Sequence, residues 1–193
     1  MADRRTSIME GAARVIARRG VRGLRVEELA AEAGVSTALI YYHFKDRAGI
    51  LRATLEFIND RAGRYTTERD PGLPPLDALG ELEQTLLLEL QDTPEVRENS
   101  TAWGELRACA VFDPDLRDDL ARATRVWVRE VGDLLAEIHP TAPAAGLAAA
   151  AERLTALVEG LSSRWLSGSL PLPHARELMS TAIGAELERL RTA

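Results

Sequence analysis

Apolar residues recur at steps of three and four along almost the whole chain of 193 residues, and nowhere does the two-residue alternation of a strand persist. That feature commits the chain to helices, because a 3.6-residue turn gathers such positions onto one face. Glycine and proline divide the pattern. Ile8, Ala12, Val15 and Ile16 predict a first helix, ended by Arg18, Arg19 and Gly20, with cations in the last turn and a glycine beyond it. Short helices are expected over residues 26–33 and 37–43. A longer one starts near Arg47 and carries Ile50, Leu51, Leu55, Ile58, Ala62 and Tyr65 on one side. Asp70–Pro75 reads as a loop, followed by a helix over Leu76–Gln91. Thr93-Pro94 and Asp113-Pro114 each place a capping side chain before a proline suited to the first helical position. They open one helix carrying Val96, Trp103, Leu106 and Ala110, and another carrying Leu116, Leu120, Thr124, Trp127, Val131, Leu134 and Ile138. An alanine-rich helix over 144–167 and a last one over 174–191 bring the expectation to nine helices in an all-α fold.

Charge divides the chain in two. Residues 1–50 hold nine Lys/Arg against six Asp/Glu, and residues 51–193 hold fifteen against twenty-four, within a net charge of −6. A basic head on an acidic body points to an anionic partner for the head alone. No apolar run is long enough for a membrane span, and the N-terminus lacks the apolar stretch of a secretory leader, so a cytoplasmic protein with no membrane partner is expected. Cys109 is the only cysteine, which excludes an internal disulfide and a cysteine-based zinc site. His43, His139 and His174 are far apart, with no pair one helical turn apart to hold a metal. There is no nucleophile beside a base and no phosphate loop, so neither an enzyme nor a cofactor is expected.

The head carries one short element with its own logic. Helices 26–33 and 37–43 are joined by Gly34, Val35 and Ser36 alone, the spacing of a helix-turn-helix. Ala30 is small where the two helices must cross closely, Gly34 suits the positive φ of a sharp turn, and Ile40 is an apolar anchor for the second helix. Ser36 suits its N-cap. The second helix is barely two turns, so its value lies in what it presents: Thr37, Ala38, Leu39, Tyr41, Tyr42 and His43, followed by Lys45 and Arg47. Hydroxyls, an imidazole and cations suit phosphate and base-edge contacts in a major groove. Phe44 and Tyr41 are the aromatics expected to be buried.

Residues 20–51 resemble the DNA-binding domain of TetR-family transcriptional regulators, through Ala33-Gly34-Val35-Ser36, the Tyr41-Tyr42-His43-Phe44 block, and Arg47 where the family usually has lysine. The resemblance implies an all-α homodimer that binds a double-stranded DNA operator. It implies a helix-turn-helix domain over 1–46 and a ligand-binding and dimerisation domain over 47–193. It assigns Thr37, Ala38 and Leu39 to base edges, Tyr42 and His43 to phosphates, and Arg47 to phosphate at the start of the fourth helix. One departure is Arg25, which stands where the family often has a Ser or Thr to cap the second helix; its cation is expected to reach phosphate instead. Beyond residue 51, Trp103-Gly104-Glu105-Leu106, Asp113–Arg117 and Leu157–Leu161 look like the choline/betaine-type branch of the family.

In the body, Trp103 and Trp127 sit on inward stripes of neighbouring helices, and two readings stand for them: plain core or the wall of an effector cavity. With Phe57, and with Asn99, Arg107 and Thr124 as the few polar groups, such a wall suits a largely apolar effector of unknown identity, and a cation against the Trp faces also fits. Asn99 and Thr124 read equally as satisfied interior groups. Leu154, Val158, Leu161 and Trp165 occupy an arc too wide for one packing face, and Leu178, Ala182 and Ala185 add a second strip, so both are expected to pack against their two-fold mates. The functional expectation is a ligand-responsive repressor on a palindromic operator. The alternative is a helical small-molecule-binding protein or enzyme that does not touch DNA.

Overall fold

The computed structural model describes residues 4–67 and 75–192, with Thr67 described in its backbone alone. Most of the expected loop at Asp70–Pro75 lies outside these residues. Among them there are nine α-helices, a 3₁₀ turn at Val21–Gly23 and no strand. The helices are α1 (Arg4–Arg19), α2 (Val26–Ala33), α3 (Thr37–Phe44), α4 (Arg47–Thr67), α5 (Ala78–Leu87), α6 (Pro94–Ala110), α7 (Pro114–Ile138), α8 (Ala144–Leu166) and α9 (Leu172–Arg191). No helix among the described residues is long and apolar enough to cross a membrane.

Two helices differ from expectation by more than one residue. α5 starts later, because Asp77 caps it by accepting from the Gly80 amide at 2.8 Å, and it ends at Leu87 rather than Gln91. α9 starts two residues earlier, at Leu172, because Pro173 is accommodated in the first turn, where no amide is needed.

The chain divides into two compact units, Met1–Ala62 with Arg97–Ala123, and Gly63–Val96 with Thr124–Ala193. In the first unit, α1 buries Ile8, Met9, Ala12, Ala13, Val15 and Ile16, the three-and-four spacing turned into one face. They share a core with Leu29 and Ala30 of α2, Ile40 and Phe44 of α3, Ile50, Leu51, Leu55 and Ile58 of α4, Ala102 and Leu106 of α6, and Leu116 and Leu120 of α7. Charge ties fix α1 to α2: Arg14 Nε donates to Glu32 at 2.7 Å, Arg18 also pairs with Glu32, and Arg19 pairs with Glu28. Those hydrogen bonds hold the Glu32 carboxyl below its ordinary range.

The second unit is built around α8 and α9. Leu154, Val158, Leu161 and Trp165 of α8 pack with Leu82, Leu86 and Leu90 from α5 and the turn after it, Val131 and Leu135 of α7, and Ala175, Met179, Ile183 and Leu190 of α9. Arg153 Nε and Nη2 bond Glu186 at 2.7 and 2.6 Å, clasping α8 to α9. Arg176 Nη1 reaches back to the carbonyls of Leu87 and Leu90, each at 2.7 Å, satisfying acceptors where α5 ends. This core corrects the expected partner-facing arc. Leu154, Val158, Leu161 and Trp165 are 1%, 1%, 3% and 6% exposed within their own chain. The arc is wide because α5, α7 and α9 surround α8 on several sides, so these four side chains are not free for a second copy. Leu178 and Ala185 remain on the surface, with Ala182 half-buried.

Candidate nucleic-acid interface

The turn between α2 and α3 follows from its residues. Gly34 takes φ 64° and ψ 39°, a left-handed conformation open to glycine at little cost. That wraps the chain so that Val35 N–H bonds the Ala30 carbonyl at 3.0 Å, closing the end of α2. Ser36 then caps α3, its hydroxyl accepting from the Leu39 amide at 3.2 Å. Arg25 is the N-cap of α2; its side chain makes no cap hydrogen bond and stays exposed, while Glu27 and Glu28 in the first turn suit the helix dipole.

α3 is pinned by Ile40 and Phe44, one turn apart and 0% and 5% exposed. The other faces are thereby turned outward. Ser36, Thr37, Ala38 and Lys45 are exposed, and Leu39 and His43 are half-buried. Tyr42 is 81% exposed, its ring edge-on to His43 at 5.3 Å between centroids. Tyr41 corrects an expectation: it is 49% exposed rather than buried, because the 100° step from Ile40 carries it off the anchored face. Two neighbouring tyrosines in water contribute little to folding, and they leave rings and hydroxyls free for a partner.

The exit from α3 is strained and locked. Lys45 has φ 63° and ψ −56°, and the Asp46 amide bonds the Phe44 carbonyl at 2.7 Å across it, which makes a γ-turn of the rare positive-φ kind. Asp46 Oδ1 accepts from the Gly49 amide at 2.7 Å and so caps α4. A Cβ on residue 49 would stand 2.1 Å from the Phe44 carbonyl oxygen, so this crossing of α3 and α4 requires glycine. Arg47 is exposed as a residue, but its Nη2 donates to the Val21 carbonyl at 2.7 Å. The Val21 amide in turn bonds Glu105 Oε2 on α6 at 3.1 Å. The turn after α1 is therefore held by α4 on one side of Val21 and by α6 on the other, two ties with no signature in the local sequence.

The residues considered for an effector divide between the units. In the first, Asn99 is 3% exposed and fully engaged, accepting from Arg61 Nε at 2.8 Å and donating to the Ile58 carbonyl at 3.1 Å. Arg61 also pairs with Glu98 at 2.8 Å and lies 5.3 Å from the Phe57 ring centroid. Trp103 is half-buried on the first core, with the Arg107 guanidinium 5.5 Å from its ring centroid. In the second unit, Thr124 is half-buried, and Trp127 packs half-buried on the core.

The second unit also holds a group the periodicity concealed. Glu89 follows Leu82 by seven residues and Leu86 by three, which puts a carboxylate where the stripe calls for an apolar side chain. Tyr65 Oη donates to its Oε2 at 2.9 Å. Burial pushes the Glu89 carboxyl up from an ordinary 4.5 to about 7, against the Tyr65 hydrogen bond and with the negative charge of Glu159 adding to the rise. No group of three or more acidic, His or Cys side chains suited to a metal occurs among the described residues.

Comparison with known proteins places this geometry. Residues 8–54 match the profile of the tetR family of bacterial regulatory proteins, and residues 79–188 match that of the BetI-type transcriptional repressor C-terminal region. The HTH-type transcriptional regulator BetI of Burkholderia mallei is 28% identical over 168 residues, covering 86% of this chain and 82% of that protein. A crystal structure described as a TetR-family transcriptional regulator from Rhodococcus sp. superposes with a TM-score of 0.87 at 46% identity, covering 97% of this chain and all of that one. A regulator from Saccharomonospora viridis, solved in complex with choline, superposes with a TM-score of 0.77 at 26% identity, covering 93% of this chain and 95% of that one.

Proposed function

Because the chain belongs to the TetR family of bacterial regulatory proteins and is a DNA-binding transcriptional regulator, we propose that it acts in the cytoplasm as a homodimeric, effector-responsive repressor on a palindromic operator. Residues 1–46 are the DNA-binding head and 47–193 serve effector binding and dimerisation. The observation that carries the reading is α3 itself, a two-turn helix anchored by Ile40 and Phe44 that turns Thr37, Ala38, Tyr41 and Tyr42 to solvent. Thr37, Ala38 and Leu39 read base edges. Tyr42, His43 and Lys45 grip phosphate, and Arg25 flanks them. Arg47 acts chiefly through Val21, orienting the turn behind the head.

The dimer surface is the outward face of α8 and α9. Ala148, Ala156 and Gly160 on α8, with Thr181 and Ala185 on α9, are exposed and small enough for helices to approach closely, and exposed Leu178 adds apolar area beside them.

The effector is a small organic cation with an apolar body, taken up in the second unit. Among the described residues Glu89 pairs with no cation, Glu159 adds a second negative charge, and Tyr65, bonded to Glu89, and Trp127, on the same core, supply aromatic surface of the kind that suits an alkylammonium group. The choline bound to the Saccharomonospora viridis regulator supports this class. Linkage then sets the response: a cation that prefers a body conformation unsuited to operator must weaken DNA binding, and DNA must weaken cation binding by the same factor.

The test is a gel-shift titration on duplex DNA from upstream of the protein's own gene, with choline as the probe effector. The reading expects a specific complex at nanomolar protein that choline dissociates. Calorimetry of the free protein with choline should show binding that Glu89→Gln weakens. Operator binding that persists unchanged at saturating choline, or equal choline binding by the variant, would remove the cation from the account.

A further inference from the structure

The cations of the first unit are unevenly committed. Toward the C-terminal end of α1, Arg14 and Arg18 are neutralised by Glu32, and Arg19 by Glu28. Arg52 is held by Asp119. At the opposite end of the same helix, Arg4 and Arg5 are both exposed, and among the described residues neither meets a carboxylate. Their position is also unfavourable for the helix alone. The first turn of α1 contains no acidic residue, and the unpaired amides there repel positive charge. Two adjacent arginines in that place weaken α1 slightly and, among the described residues, contribute no ion pair.

Their location shows what they are free to meet. The Arg5 guanidinium stacks 5.6 Å from the centroid of the Phe44 ring. Phe44 is the last residue of α3 and lies beside His43, with 5.8 Å between ring centroids. The start of α1 therefore abuts the same end of α3 that carries His43 and Lys45. Arg5 is exposed while resting against that buried ring, so its donors stay open to solvent.

We infer that Arg4 and Arg5 form a second DNA contact, a phosphate clamp from the start of α1 that grips the backbone beside the C-terminal end of α3. The inference rests on the DNA-binding reading above and adds an element outside the helix-turn-helix. Phosphate is the favoured target because α1 is already helical at Arg4, so only the side chains reach outward and no extended arm is required. A phosphate contact adds affinity and salt sensitivity without adding sequence preference.

The test compares the full-length wild type with an Arg4→Gln/Arg5→Gln variant and an Arg4→Lys/Arg5→Lys variant. Binding is measured by fluorescence anisotropy across a salt series on operator and on unrelated duplex. Two lost phosphate contacts per protomer lower the slope of log affinity against log salt by about 3 to 4 per bound dimer, and lower affinity at least about tenfold near physiological salt. The loss should be equal on both duplexes, and the Lys variant should restore the slope while the Gln variant keeps the wild-type circular dichroism and melting temperature. An unchanged slope in the Gln variant would overturn the clamp while leaving the α3 assignment standing. A loss that depends on A·T content of the flanking sequence would overturn it in favour of minor-groove reading. Failure of the wild type to bind any duplex would bring down the DNA-binding reading, and the clamp with it.

Discussion

Replacing Glu89 with Gln should make the protein more stable, and chiefly at neutral to alkaline pH. The native carboxyl keeps its proton up to about 7, whereas the unfolded chain releases it near 4.5. Between those values the unfolded state has lost a proton that the native state still holds. Stability therefore falls as pH rises through the window and levels off above about 7. At about 1.4 kcal/mol per pH decade, the full interval is worth about 3 kcal/mol. Gln is isosteric and neutral, and its carbonyl oxygen can still accept from Tyr65 Oη, so the variant removes the titration and keeps the 2.9 Å contact. The assay is urea unfolding followed by circular dichroism at about pH 5 and about pH 8.5, at one fixed protein concentration so that dimerisation is held constant. The expected advantage of the variant is below about 1 kcal/mol at the acid value and about 3 kcal/mol at the alkaline one. A constant difference across the series would refute the reasoning, because it would mean that Glu89 titrates alike in both states. Choline should also stabilise the wild type more than the variant at the alkaline value.

Other consequences follow from single contacts. Gly49→Ala places a methyl 2.1 Å from the Phe44 carbonyl oxygen and must displace the strained turn after α3; a change of about 1–3 kcal/mol in that turn lowers operator affinity about ten- to hundredfold, read by anisotropy on a variant that still melts cooperatively. Glu186→Gln breaks the bidentate clasp of α8 on α9, in which Arg153 holds the Glu186 carboxyl below its ordinary range. With Arg153 partly in water the cost is about 1–2 kcal/mol at neutral pH. It closes as pH falls below the ordinary carboxylate range and the wild-type Glu186 is protonated, so thermal melts of the two should converge in acid. Ala185→Arg puts a charge into the proposed α9 contact and should give a folded monomer in sedimentation, whereas an unaltered dimer would place the interface elsewhere.

The helix-turn-helix was legible because its determinants are local. Gly34 and Ser36 act on atoms within four residues of themselves, and Ile40 needs only an apolar side chain on the face that meets the core, so each does in space what its chemistry suggests. The same arithmetic, followed strictly, also exposes Tyr41: once Ile40 and Phe44 define the buried face, a residue 100° from Ile40 is carried off it. What the sequence did not reveal depends on elements that meet only after folding. Leu154, Val158, Leu161 and Trp165 looked too many for one face because periodicity does not say how many helices surround α8. Arg47 looked free for phosphate because nothing near it announces the Val21 carbonyl, twenty-six residues away. Glu89 was overlooked because a charge on an apolar stripe reads as a helix edge until burial is seen. Asn99 was open between ligand and interior, and its amide is engaged by Arg61 and the Ile58 carbonyl, from a helix far off in sequence.

The central claim is that the surface of α3 recognises DNA. Footprinting of the region upstream of the protein's own gene, with wild type and a Tyr42→Ala/His43→Ala variant side by side, tests it most directly. The account predicts one protected palindrome whose half-sites lie on one face of the duplex, about 34–36 Å or a multiple of it apart. It predicts that protection vanishes in the variant while its helical circular dichroism and melting temperature stay those of the wild type. Equal protection by both proteins would contradict it.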